Sequence, residues 1–217
     1  MEDKAVGARP RDNRLKPPSG GGLAMDPGLA KALVLVSSLV MVIIRAPHGQ
    51  RSRGIKVAKS RKGPLETALL TLAWFGFFLP LVWVATPALA WADYPLHPVP
   101  FFTGISCLAL GPRLFYRSHA DLGTNWSITL EVREKHRLVT QGIYHRVRHP
   151  MYLALLLYSS GQALALPNWV AGPSYLIVFA LLVALRVGPE ERMMLEEFGK
   201  DYELYMTRTK RLVPGVW

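Results

Sequence analysis

The sequence predicts an all-α integral membrane protein of about five transmembrane helices, with an amphipathic helix on the cytosolic side at its C-terminal end. Three observations carry that expectation. Half of the 217 residues are apolar and only 19% are charged, a balance too hydrophobic for general disorder. The apolar residues fall in long blocks nearly free of charge, as membrane-crossing helices require. The charges, summing to a net +11, crowd between the blocks. In a chain with membrane-length apolar runs such an excess records topology rather than a nucleic-acid partner. Cys107 is the single cysteine and sits inside an apolar block, so no disulfide framework or cysteine metal site can be built.

Residues 1–28 combine Gly20, Gly21 and Gly22 with Pro10, Pro17 and Pro18 and show no apolar periodicity, which reads as a flexible tail. Met25, just ahead of the first apolar run, is an alternative translation start. Residues 29–116 form a unit of three spans. Leu29 to Ile44 is the first, with Lys31 free to snorkel at its edge. Leu65 to Ala92 is the second, with Glu66 at its mouth and kinks expected at Pro80 and Pro87. Val99 to Tyr116 is the third and weakest, interrupted by Gly104, Gly111, Pro112 and Arg113. Residues 117–217 form the core. There Met151 to Leu166 and Trp169 to Val187 are joined by Pro167 and Asn168 alone, an antiparallel hairpin over 151–187. Each arm is near the length that roughly 30 Å of hydrocarbon demands at about 1.5 Å per residue.

Connector 45–63 carries seven Lys and Arg and no acid, which places it in the cytosol. Residues 93–98 and 167–168 carry no Lys or Arg and belong outside. Segments 117–150 and 186–217 then fall inside, with six Lys and Arg each. The same count puts the N-terminal tail outside.

The polar groups with chemical potential collect in these last two cytosolic segments, which the hairpin brings to one membrane face. In the first, Pro150 suits the opening turn of a helix, so Arg148 and His149 would stand at the positive end of its dipole, where an anion can bind. Tyr144 and Tyr152 add aromatic faces suited to an adenine ring or a cationic sulfonium. By residue type alone, an interfacial belt of Arg, His and Tyr is the weightier reading. In the second segment, Arg186 and Glu190 are four apart and share a face if the helix continues, although Gly188 and Pro189 suggest a bend and a restart. A salt-bridged amphipathic helix with Leu195, Phe198, Tyr202 and Tyr205 as its packing stripe accounts for Glu191, Glu196, Glu197 and Lys200. Arg186 and Glu190 stay divided between that helix and a functional role. His119 and Asp121 lack further ligands at zinc spacing. Gly20 to Gly22 has no strand before it or helix after it, and no nucleophile elbow occurs.

The combination Gly142-x-Tyr144, Arg148-His149-Pro150-x-Tyr152, a short hairpin, then Glu190-Glu191, Phe198-Gly199, Tyr202 and Tyr205 resembles the isoprenylcysteine carboxyl methyltransferase family. That family is grouped with the phospholipid methyltransferases, and the match covers roughly residues 120–217. The resemblance implies a multi-pass membrane methyltransferase that uses S-adenosylmethionine without a soluble nucleotide-binding domain, its active site on the cytosolic face. The expected reaction is O-methylation of a carboxylate on an isoprenylcysteine-like or other lipophilic acceptor. Phospholipid N-methylation, small-thiol S-methylation and a non-catalytic lipid-binding scaffold are the alternatives. Carried over by motif, His136, Arg137, Leu138, Val139, Tyr144, His149, Pro150, Met151, Tyr152 and Glu190 would line the S-adenosylmethionine pocket, with Glu190 at the ligand's amino group. Arg186 would hold the acceptor, and Arg186, Glu190 and Arg208 would form the catalytic group. The implied partners are a lipophilic or lipidated small-molecule or peptide acceptor and membrane lipids, with no nucleic acid and no metal.

Overall fold

Proline opens α1 (Pro27–Arg53), α2 (Pro64–Ala85), α3 (Pro98–Leu122) and α4 (Pro150–Ala165), where its missing N–H costs nothing and its fixed φ favours the helix. Two further α-helices, α5 (Ala171–Phe198) and α6 (Lys200–Arg208), follow. The structure, a computed structural model, describes residues 26–53, 57–60, 63–123, 131–133 and 137–215.

Several expected boundaries move. The first span does not stop at Ile44, because the helix carries on through Pro47 to Arg53, so the first part of connector 45–63 is helical. The second does not reach Ala92. Thr86 leaves the helix in an extended conformation, and Pro87–Ala92 continues as a 3-10 helix in which the Thr86 side chain accepts from the Ala88 N–H. The third extends to Leu122. The fifth does not end at Val187: α5 runs through Gly188 and Pro189 without a break, and the bend expected there is absent. Instead the chain breaks at Gly199, so the amphipathic stripe Leu195 to Tyr205 is divided between two helices. The chain is also not wholly α, since β1 (Val57–Ser60) pairs antiparallel with β2 (Glu131–Arg133).

The five long helices form a ring. α1 packs on α3, α3 on α4, α4 on α5, α5 on α2, and α2 on α1. The α3–α4 contact is the most extensive, and small residues make it so. A Cβ on Gly104 would stand 2.8 Å from the Cβ of Ala165, and one on Gly161 would stand 2.7 Å from Leu108 Cγ. Gly104, which weakens the block as a hydropathy signal, is thus where two backbones approach.

Outward faces are apolar: Val36, Leu39, Ile43, Leu72, Trp74, Phe75 and Ile177 are all exposed. Pro27–Gln50, Pro64–Ala85 and Ala171–Phe198 are long and apolar enough to cross a membrane. Together these features describe an integral membrane protein. α3 carries Arg113, Arg117, His119 and Asp121 in its second half. The 16 residues of α4 reach only about 24 Å. None of them is exposed, so α4 is an inner helix shielded by its neighbours.

The connectors sort to two ends. At one end β1 meets β2, and Val147 bridges Lys210, so residues 57–60 meet 131–133 and residues 137–147 meet the C-terminal segment. At the other end Asp93 bridges Asn168. There Asn168 Nδ2 donates to Asp93 Oδ1 and to the Leu89 carbonyl, both at 2.7 Å, while its Oδ1 accepts from the Val170 and Ala171 N–H groups and caps α5. Trp91 and Trp169 stand exposed at this end, as interfacial aromatics do.

Candidate functional site

The site is assembled at the first of these ends, beginning at Gly142. Its φ is +61°, and a Cβ there would collide with the Asp121 carboxylate, so only glycine fits. That carboxylate accepts the Ile143 N–H at 2.7 Å and starts the 3-10 turn Gly142–His145, which turns Tyr144 inward. The Tyr144 hydroxyl donates to the Ser118 carbonyl at 3.4 Å, and Tyr205 donates to the Tyr144 carbonyl. Burial holds the phenols of Tyr144, Tyr202 and Tyr205 well above the usual tyrosine range, so all three remain protonated donors.

Beyond this turn the chain runs beside the segment that follows α6. Arg148 N–H donates to the Lys210 carbonyl at 2.8 Å and His149 N–H to that of Arg211 at 2.9 Å. The Arg148 side chain then closes on protein groups: Nε and Nη2 reach Glu191 Oε1 at 2.9 and 2.8 Å, and Nη1 donates to the carbonyls of Met206 and Thr209. Arg211 Nε holds Glu191 Oε2 at 2.9 Å, and His149 Nε2 donates to Glu191 Oε1 at 3.3 Å. Two sequence expectations change here. Arg148 does not wait for an external anion, because Glu191 already supplies one. Glu191 is not a solvated helix residue either: the unbroken α5 turns it inward, where its side chain is 4% exposed.

Beside this clasp lies a cavity of about 520 Å³ inside the helix ring, within the range typical of ligand pockets. Arg137, Leu138, Val139, Tyr144, His149, Pro150, Met151, Tyr152, Arg186 and Glu190 all line it. The expected residue His136 lies outside the described residues. Arg208, at the last position of α6, is exposed and is not among the lining residues, so the structure does not bring it to Arg186 and Glu190. The polar rim is continuous. Tyr152 donates its hydroxyl to Glu190, His149 stacks on Tyr152 with ring centroids 5.4 Å apart, and Arg186 Nε is 3.9 Å from Glu190 Oε2. Arg186 and Glu190 thus share a face across Gly188 and Pro189. Nε of Arg186 is buried without a hydrogen-bond partner.

Deeper in, the cavity is walled by Phe77 and Phe78 of α2, Tyr175 and Phe179 of α5 and Met41 of α1, with Arg45 on the α1 side. Sequence reasoning did not assign these α1 and α2 residues to the site. A hydropathy block does not say which of its residues face inward. The one available signal was the charge of Arg45 and Glu66 at the ends of apolar runs, where charge is retained at a cost.

A ring of membrane helices around a cavity that is polar at its mouth and aromatic within defines a class: helical membrane proteins with an enclosed amphipathic cavity. Comparison with known proteins gives a likeness over part of the chain. Residues 104–196, the segment holding His149, Tyr152, Arg186 and Glu190, match the isoprenylcysteine carboxyl methyltransferase (ICMT) family. The chain is 30% identical over 115 residues to protein-S-isoprenylcysteine O-methyltransferase B of Arabidopsis thaliana, covering 52% of this chain and 58% of the relative. It is 31% identical over 114 residues to the protein-S-isoprenylcysteine O-methyltransferase of Schizosaccharomyces pombe, covering 52% and 48%. The chain therefore spans about half the length of these relatives. In fold it is similar to the eukaryotic intramembrane Ras methyltransferase ICMT, with a TM-score of 0.50 and 22% identity over 88% of this chain and 74% of that one.

Proposed function

We propose that the protein is an S-adenosylmethionine-dependent methyltransferase that esterifies a carboxylate on an isoprenylcysteine-like or other lipophilic acceptor, at the cytosolic face of a membrane. The observation that carries this reading is the single cavity joining the His149–Tyr152–Glu190–Arg186 rim to an aromatic chamber. The donor set fits the methyl donor. Glu190 offers a carboxylate to an ammonium, fixed by the Tyr152 hydroxyl. Tyr144, Tyr152 and Tyr205 offer ring faces that attract a sulfonium or stack on a base. When bound, S-adenosylmethionine supplies an electrophilic methyl group, which the acceptor oxygen takes with its own lone pair as the methyl–sulfur bond breaks to leave a neutral thioether.

For such a displacement the protein must align two reactants and exclude water more than move protons. Arg186 would receive the acceptor carboxylate, whose oxygen would satisfy the buried Nε. The aromatic wall of α2 and α5 would hold the lipophilic portion and keep the centre dry. The membrane arrangement follows the same reading. α3 and α4 add two crossings to the three clear spans, with α4 short because protein surrounds it, and the Lys- and Arg-rich end holding the site faces the cytosol.

The test is methyl transfer by detergent-purified protein from radiolabelled S-adenosylmethionine to N-acetyl-S-farnesylcysteine, with cofactor binding measured by calorimetry. A base-labile labelled product is expected, and Glu190→Ala should weaken cofactor binding about tenfold or more. A folded wild type that binds no cofactor would sink the reading. The same cavity would also admit a phospholipid amine as acceptor. A base-stable product from an aminophospholipid, with none from the carboxylate, would favour that second reading.

A further inference from the structure

We propose that Glu66, in the first turn of α2, is a positioning residue for Arg186, so that the reaction centre extends beyond the family-matched segment 104–196. The inference rests on the reading of Arg186 as the acceptor-side cation.

Glu66 Oε1 lies 3.6 Å from Arg186 Nη1, and the two side chains are only 11% and 10% exposed. On the other edge of the same guanidinium, Nε lies 3.9 Å from Glu190 Oε2, the i,i+4 partner on α5. Arg186 and Glu190 line the cavity, whereas Glu66 is not among the lining residues. Glu66 therefore backs the guanidinium from α2 while Glu190 fronts it from α5, and the packing of α2 on α5 holds the two acids apart.

Each acid has a separate consequence. A largely buried guanidinium draws in whatever carboxylate is near, because an unpaired charge in such a place is expensive. With Glu66 neutral, Glu190 becomes the nearer anion left to Arg186, four residues away on its own helix. Arg186 then closes the 3.9 Å gap onto Glu190 and turns its Nε edge away from the acceptor. The same movement draws Glu190 from the cofactor's amino group. Glu66 thus keeps acceptor binding and cofactor binding on different groups. It does so without touching either ligand, which makes it a positioning residue and not a catalytic one.

The experiment compares wild type, Glu66→Gln, Glu66→Asp, Arg186→Lys and the double variant Glu66→Gln/Arg186→Lys in the assay above, with kcat, acceptor KM and cofactor Kd measured separately. Glu66→Gln should raise acceptor KM about tenfold with a smaller fall in kcat. Glu66→Asp, which keeps the charge one methylene further away, should lie between it and wild type. The double variant should lose no more than Arg186→Lys alone, since Glu66 acts only through Arg186. Wild-type acceptor KM in Glu66→Gln, or losses that add in the double variant, would overturn the positioning role while the methyltransferase reading stands. A wild type that transfers no methyl group to any acceptor would overturn that reading, and the role of Glu66 with it.

Discussion

Adjacent glutamates on α5 have opposite fates. Glu190 faces the cavity with its side chain 29% exposed, whereas Glu191 is buried at 4% and held by Arg148, Arg211 and His149. One hundred degrees of helix rotation separates a group that can meet a ligand from one that fastens the protein. Removing one partner of a buried ion pair costs about 3–5 kcal/mol, because the remaining charge is left uncompensated. Glu191→Gln should therefore unfold far more readily than wild type in a detergent melting experiment. Arg211→Ala, whose side chain is 36% exposed, should cost less. Equal melting of Glu191→Gln and wild type would mean that the clasp holds nothing. A sequence alone gives no helix phase at this point: two acids in a row look alike until the helix is known to run unbroken through Pro189.

Among the elements, α3 and α4 depend on the absence of side chains. Gly104 and Gly161 let the two backbones approach where ordinary residues would force them apart. Overpacking a tight contact costs typically about 1–3 kcal/mol, so Gly104→Leu should lower the melting temperature and the yield of folded protein. The control is Leu110→Ala on the exposed face of the same helix, which should change little. Folded protein at wild-type yield and stability from Gly104→Leu would refute the close-packing account. The apolar blocks themselves were plain in the sequence, because membrane-facing helices are hydrophobic almost all round. Their ends were not. Pro87 to Ala92 is as apolar as the helix before it, and only Thr86 and the proline mark where the helix gives way to a 3-10 turn. The motif residues from Arg137 to Tyr152 with Arg186 and Glu190 were legible as a group. The cavity walls from α1 and α2 were not, since inward-facing aromatics there share their composition with lipid-facing ones.

At the scale of the whole molecule, the connectors separate as the charge count demands. The ribbon and the Val147–Lys210 bridge gather the basic segments at the site end, and Asp93 with Asn168 closes the other. In a background where Cys107 is replaced by alanine, single cysteines at Lys59 and Trp91 should be labelled by a membrane-impermeant maleimide from opposite sides, Lys59 from the cytosol. Labelling of both from one side would break the topology, and the cytosolic placement of the site with it.

The docking of residues 206–211 against Arg148 bears on how the protein is made. A chain grows from its N-terminus, so α1 to α5 have all been synthesised before the carbonyls of Met206 and Thr209 exist. Of the three side chains that hold Glu191, Arg148 and His149 are made before it and Arg211 after it. The clasp beside the mouth of the cavity is therefore completed by the last-made of the segments that build it. Whatever occupies that segment during synthesis, a chaperone or an appended tag, delays the closing of the clasp on Glu191.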